Sequence, residues 1–103
     1  MQLLAYEGGQ HFVGVGGGER SEQLTRVLHA ANADPRLAEI HARYFAAWEA
    51  NGGGLFRYFS SVGGWSKWGS WGALQSLEED PTQSPKYQAM QTLAEKLGQP
   101  IGR

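Results

Sequence analysis

The side chains of this sequence best suited to binding or chemistry are Glu7, His11, Trp65, Trp68 and Trp71. Glu7 ends a short apolar run, Leu3-Leu4-Ala5-Tyr6, and Gly8-Gly9 follows it, the pattern of a buried strand that stops in a tight loop. A carboxylate at the carboxyl end of a parallel strand stands where ligands bind in α/β sheets and barrels. The other reading of Glu7 is a solvated loop residue. The three tryptophans lie among glycines and serines that cannot bury them locally, so each ring either packs beneath its loop or faces a ligand. An indole face is an apolar platform against which the C–H face of a sugar ring can lie, and Trp68 and Trp71 are the candidates for that role.

His11 follows the first strand, where it has a hydroxyl to bond or Glu7 to orient. His29 and His41 fall on expected helices without an HxxxH or HxH pair, so no metal site is expected, and no cofactor either. His41 reads as a packed histidine with one nitrogen satisfied. Ser60, Ser61, Ser66 and Ser70 have no adjacent His-Asp constellation, which gives a serine hydrolase little support. The run Gly14-Val15-Gly16-Gly17-Gly18 completes neither GxGxxG nor GxxxxGK and reads as a flexible loop rather than a phosphate cradle.

These residues need elements to place them. Ser21 is a plausible N-cap for a helix reaching about Ala31, with Leu24, Val27 and Leu28 spaced to share a face. Asp34-Pro35 gives a strong helix start, and Leu37, Ile40, His41, Tyr44, Phe45 and Trp48 follow as one broad apolar stripe that Asn51-Gly52 ends. Trp48, on that stripe, reads as core. A second strand runs from Leu55 to about Ser60, between glycine clusters. Leu77 to Gln83 is an acidic connector. Ser84-Pro85 opens a last helix with Tyr87, Met90, Leu93, Ala94 and Leu97 inward, stopped by Gly98 and Pro100. The order is β, α, α, β, α. Two strands joined by helices are most economically a parallel pair with a right-handed crossover. Glu7 and the loop beginning near Ser61 then leave the same edge of the sheet.

With 103 residues the chain makes a single domain, or part of one, with a modest core. A net charge of -1 argues against nucleic acid or a membrane surface as partner. Arg57 and Lys67 do interleave with aromatics as in single-strand binders, but two cations are too few. The absence of cysteine excludes disulfides, thiolate catalysis and cysteine-bound zinc. The N-terminus lacks the basic and apolar regions of a signal peptide, and no window approaches a membrane span, so the cytoplasm is the default location if Met1 is the native start. A strand that starts two residues into the chain suggests a larger fold already under way.

The segments LLAYEGGQH, DPRLAEIHARYFAAWEANGGG, LFRYFSS, KWGSWGAL and SPKYQAM resemble, in this order, the C-terminal quarter of a (β/α)8-barrel glycoside-hydrolase-like protein, from the seventh strand through the eighth helix. The resemblance implies that Glu7 holds the position of the nucleophile in retaining barrel glycosidases, and that Trp68 or Trp71 floors a sugar subsite. Retaining hydrolysis needs two carboxyl groups about 5 Å apart. The family's acid/base stands at the end of the fourth strand, which this chain does not have, and Glu78, Glu79 and Asp80 receive no role. A full barrel takes about 250 residues.

The expectation is therefore an α/β fold built as a partial barrel, with two parallel strands completed by other copies of the chain or by a missing barrel part. Its function would be carbohydrate binding through Trp65, Trp68, Trp71 and His11, with one catalytic-position glutamate and no turnover by this chain alone. The alternative is a non-enzymatic module that assembles with itself through its strand edges and helix faces.

Overall fold

In the computed structural model, which describes residues 2–99, the expected alternation is present. Strand β1 (Leu3–Gly8) is followed by helices α1 (Glu22–Ala33) and α2 (Arg36–Ala50), strand β2 (Gly53–Tyr58) and helix α3 (Pro85–Lys96), with short 3-10 turns at Gly18–Arg20 and Pro81–Gln83. The fold is a small mixed α/β domain in which β1 and β2 form a parallel pair. Leu3 lies opposite Gly53, Ala5 opposite Phe56 and Gly8 opposite Tyr58, with an irregularity in each interval.

Local chemistry explains the helix starts. The Ser21 hydroxyl accepts the Leu24 N–H at 3.1 Å, and the Ser84 hydroxyl accepts the Tyr87 N–H at 3.2 Å. Each satisfies one of the orphan donors of a first turn. Asp34 accepts the Arg36 N–H at 2.9 Å and also grips the Arg36 guanidinium, and this hydrogen bonding holds its carboxyl down at about 2.

Strand β2 begins two residues before the expected Leu55, because Gly53 and Gly54 join the ladder. Glycine is required at Gly53 by close packing: a Cβ there would lie 2.2 Å from the Trp48 indole. The Trp48 ring also donates its N–H to the Gly54 carbonyl at 2.9 Å, so it closes the junction between α2 and β2. Phe56 is the centre of this layer. The rings of Tyr44, Phe45 and Trp48 meet it edge-on at 5.7, 5.4 and 5.7 Å between centroids, a favoured aromatic geometry.

The helix faces are narrower than their apolar patterns suggest. On α2 Leu37, His41 and Phe45 are buried, whereas Ile40 and Tyr44 are exposed. On α1 the buried residue is Asn32, while Leu24 and Val27 face outward. On α3 the buried residues are Pro85, Lys86 and Ala89, with Met90 and Leu93 half-buried and Leu97 exposed. Pro100 lies outside the described residues. The remaining buried apolar residues, Ala73 and Leu74, come from the loop after β2.

The second face of the sheet is uncovered. Leu4 and Tyr6 of β1 and Leu55 of β2 are 61%, 78% and 64% exposed, whereas parallel sheets are ordinarily buried on both faces. Phe45→Ala should lower the stability of the domain by about 3–5 kcal/mol in urea denaturation, while Leu55→Ser should change it by less than about 0.5 kcal/mol. A loss from Leu55→Ser comparable to that from Phe45→Ala would show that this face is covered in solution.

Candidate functional site

The carboxyl ends of both strands stand side by side. The Gly8 carbonyl accepts the Phe59 N–H at 2.9 Å, so the ladder runs to the last residue of β1, next to the exposed Glu7. The chain leaving β1 and the chain leaving β2 then meet through His11. Its imidazole stacks on Trp71, with centroids 4.1 Å apart and planes inclined by 22°, and its Nε2 lies 3.2 Å from the Trp68 carbonyl oxygen. A carbonyl only accepts, so this nitrogen carries the proton. Phe59 meets the Trp71 ring edge-on at 6.3 Å.

The three tryptophans have different environments. Trp65 is half-buried and donates its indole N–H to the Gly72 carbonyl at 3.1 Å. Trp71 is half-buried, with His11 stacked on it. Trp68 is 61% exposed and carries the Lys67 ammonium 4.7 Å from its ring centroid. It sits at the tip of a tight turn in which Ser66 and Gly69 exchange both backbone hydrogen bonds and the Ser66 hydroxyl accepts the Trp68 N–H at 3.1 Å. Gly69 takes φ of +151°, and a Cβ there would lie 2.1 Å from His11 Nε2. The His11 contact and the glycine are thus parts of one arrangement.

The loop that carries these rings has little regular structure, yet donors from elsewhere in the chain hold its carbonyls one after another. His29 Nε2 reaches the Ser66 oxygen at 3.1 Å and His11 the Trp68 oxygen at 3.2 Å. Lys86 Nζ donates to the Ser70 oxygen at 2.6 Å, with Asn32 Nδ2 at 3.4 Å from the same atom. The Ser84 hydroxyl donates to the Ala73 carbonyl. At the loop's base Gly63 N–H bonds to the Leu74 carbonyl and Leu74 N–H to the Ser61 carbonyl, so its two ends are tied together.

The structure brings His11 together with Trp68 and Trp71, whereas Glu7 is exposed and makes no hydrogen bond to His11; Lys86, Asn32 and the Ser70 carbonyl were not singled out in the sequence. One signal was present for Lys86: a cation in the first turn opposes the helix dipole, so its position calls for another reason. His41 matches its expectation. It donates from Nδ1 to the Leu37 carbonyl at 3.0 Å, and its Nε2 lies 3.4 Å from the Tyr58 hydroxyl. Burial pushes the His41 imidazole down and the Tyr58 phenol up. Among the described residues, no group of three His, Asp or Glu side chains is placed to hold a metal ion, and no helix is long and apolar enough to cross a membrane.

Replacing His11 with Ala should uncover Trp71 and free the Trp68 carbonyl, giving a red-shifted tryptophan emission and stronger acrylamide quenching, at a cost of about 1 kcal/mol. Phe in place of His11 should restore the stack but not the hydrogen bond, and so recover part of the shift. Comparison with known proteins found no matching family model, no matching curated protein and no matching solved structure.

Proposed function

We propose that this chain is a glycosidase-like barrel segment, corresponding to the seventh strand through the eighth helix, whose rim binds carbohydrate. The observation that carries the reading is the meeting of the two strand exits. Glu7 is the next-to-last residue of one strand, and His11 joins that exit to the loop bearing the exposed Trp68. A carboxylate and a free indole face at the carboxyl ends of parallel strands are what a sugar subsite in a (β/α)8 barrel requires.

In this reading Trp68 is the platform, because it is largely exposed with Lys67 against one face, whereas Trp71 is half-buried beneath His11 and Trp65 is tied into the loop by its own N–H. His11 holds the rim together and lies near enough to the platform's backbone to set its height. Glu7 would attack the anomeric carbon, and the leaving oxygen would be protonated by a group from outside residues 2–99. Glycan recognition by this chain does not depend on that second group.

The barrel part of the proposal draws support from the uncovered sheet. Two parallel strands with helix α2 on one face, apolar residues on the other and, among the described residues, both edges unpaired are compatible with a barrel sector. The exposed Leu4, Tyr6 and Leu55 also favour a second reading, a module that assembles with copies of itself through this sheet.

Titration with cello-, xylo-, laminari- and chito-oligosaccharides, followed by tryptophan emission, tests the first reading. Trp68→Ala should weaken the responding glycan about tenfold, the scale of one lost aromatic platform. Glu7→Gln should leave that binding largely intact and abolish any turnover of aryl glycosides by the assembled protein. Absence of response to every glycan, with a stable oligomer in light scattering, would favour the self-assembling module.

A further inference from the structure

Lys86 is the largest fully buried side chain among the described residues, with 0% of its surface exposed. Burying an ammonium is costly unless its hydrogens are taken up, and here they are. Nζ lies 2.6 Å from the Ser70 carbonyl oxygen and 3.3 Å from Asn32 Oδ1, and stands 5.6 Å from the centroid of the Trp65 ring. Asn32, itself fully buried on α1, turns its Nδ2 toward the same Ser70 oxygen at 3.4 Å. Helices α1 and α3 thus converge on one carbonyl, that of the residue before Trp71.

The cluster is not explained by packing or by helix stability. A methionine would fill much of the same volume without a charge to desolvate, and a lysine in the first turn of α3 opposes that helix's dipole. Ser70 points the same way: its hydroxyl is buried with no partner, so the residue is drawn inside by its carbonyl rather than by its side chain. An orphaned hydroxyl has a cost, which the charge-assisted bond to the neighbouring carbonyl offsets.

We propose that Lys86 is the positioning residue of the aromatic rim: its ammonium, clamped by the Ser70 carbonyl, Asn32 and the face of Trp65, holds the loop in the shape that presents Trp68. This rests on the carbohydrate reading only for what Trp68 is presented to; the anchoring belongs to this chain whatever the ligand.

The anchor has a pH signature. Burial pushes Lys86 down to about 8, with the Glu79 carboxylate of the connector opposing the fall. From α2, His41 feels the Lys86 charge, and from α1, His29 stands beside Trp65 with centroids 6.0 Å apart. A lysine with a depressed value in the fold is charged in the unfolded chain up to its ordinary 10.5, so global stability rises with pH between 8 and 10.5. Over the same interval the buried amine loses its charge but still donates an N–H to the Ser70 carbonyl. Opening the loop would return Lys86 to water and to its ordinary value, so by the same linkage the loop tightens with the fold as the pH rises. A lysine that merely fills space would show the rise in global stability without one in the loop.

Amide hydrogen exchange, corrected for intrinsic rates, and urea midpoints measured from about pH 7 to about pH 10 across the lysine's titration test this. Protection of residues 65–74 should rise together with the midpoint, roughly tenfold across the interval. K86M should show a loosened loop at neutral pH and no pH step, and N32A should show an intermediate loss. Loop protection in the unmutated chain that holds steady across the interval would overturn the proposal even if K86M fails to fold. Unchanged protection in a folded K86M would overturn it as well. A glycan titration without response would count against the carbohydrate reading alone, because these readouts use no sugar.

Discussion

The structure depends on the capture of one loop's backbone by side chains from the rest of the chain. A segment with little helix or strand of its own must find partners for its peptide groups elsewhere, or leave them to water. Between Ser66 and Ala73 the partners from outside the loop are imidazoles, an ammonium, a carboxamide and a hydroxyl. Their positions span the chain, from His11 after β1 to Lys86 at the start of α3. The loop is therefore a point at which the tertiary structure is assembled, and its order requires β1, α1 and α3 to be in place together. This also explains why apolar burial can remain modest: polar contacts carry the convergence that a larger core would supply.

The second constraint is the aromatic wedge at Phe56. Edge-on rings from Tyr44, Phe45 and Trp48 fix the angle at which α2 crosses β2, and the approach is so close that Gly53 has no room for a side chain. The junction sets where β2 starts, and through the parallel register it sets where β1 and β2 end. The rim at those ends thus inherits its position from a packing contact at the opposite end of the strands. A change at Trp48 or Gly53 would be felt at His11 through backbone register rather than through any direct contact.

What was legible in the sequence followed from how local each signal is. Helix starts at Ser21, Asp34 and Ser84 are written in one or two residues, because a cap acts on the backbone just beyond it. The parallel pairing was legible because the connection is too long and too helical for a hairpin. The start of β2 was not, since Gly53-Gly54 reads as a turn until the Trp48 ring above it is known. Helix faces were overestimated for a related reason. An apolar stripe records everything that a helix is built to touch, and Ile40, Tyr44, Leu24 and Val27 remain exposed among the described residues. Lys86 was invisible to periodicity because nothing in a Ser-Pro-Lys triplet shows that a carbonyl from sixteen residues upstream waits beneath it.

The mismatch between apolar stripe and buried face has a physical implication of its own. Uncovered apolar residues occur over much of the surface, and four of them, Leu3, Leu4, Tyr6 and Leu55, lie on the sheet's free face and beside its edges. Those four leave the sheet with one side filled and the other open. The rim, by contrast, is complete in itself, because every anchor of the aromatic loop comes from this chain. On the proposed reading this separates two functions that a whole barrel would merge. Adding strands would cover the sheet and bring a second carboxylate, whereas the platform is already set by contacts between His11, Trp71 and the loop carbonyls. Recognition would then be a property of the segment, and turnover a property of whatever closes around it.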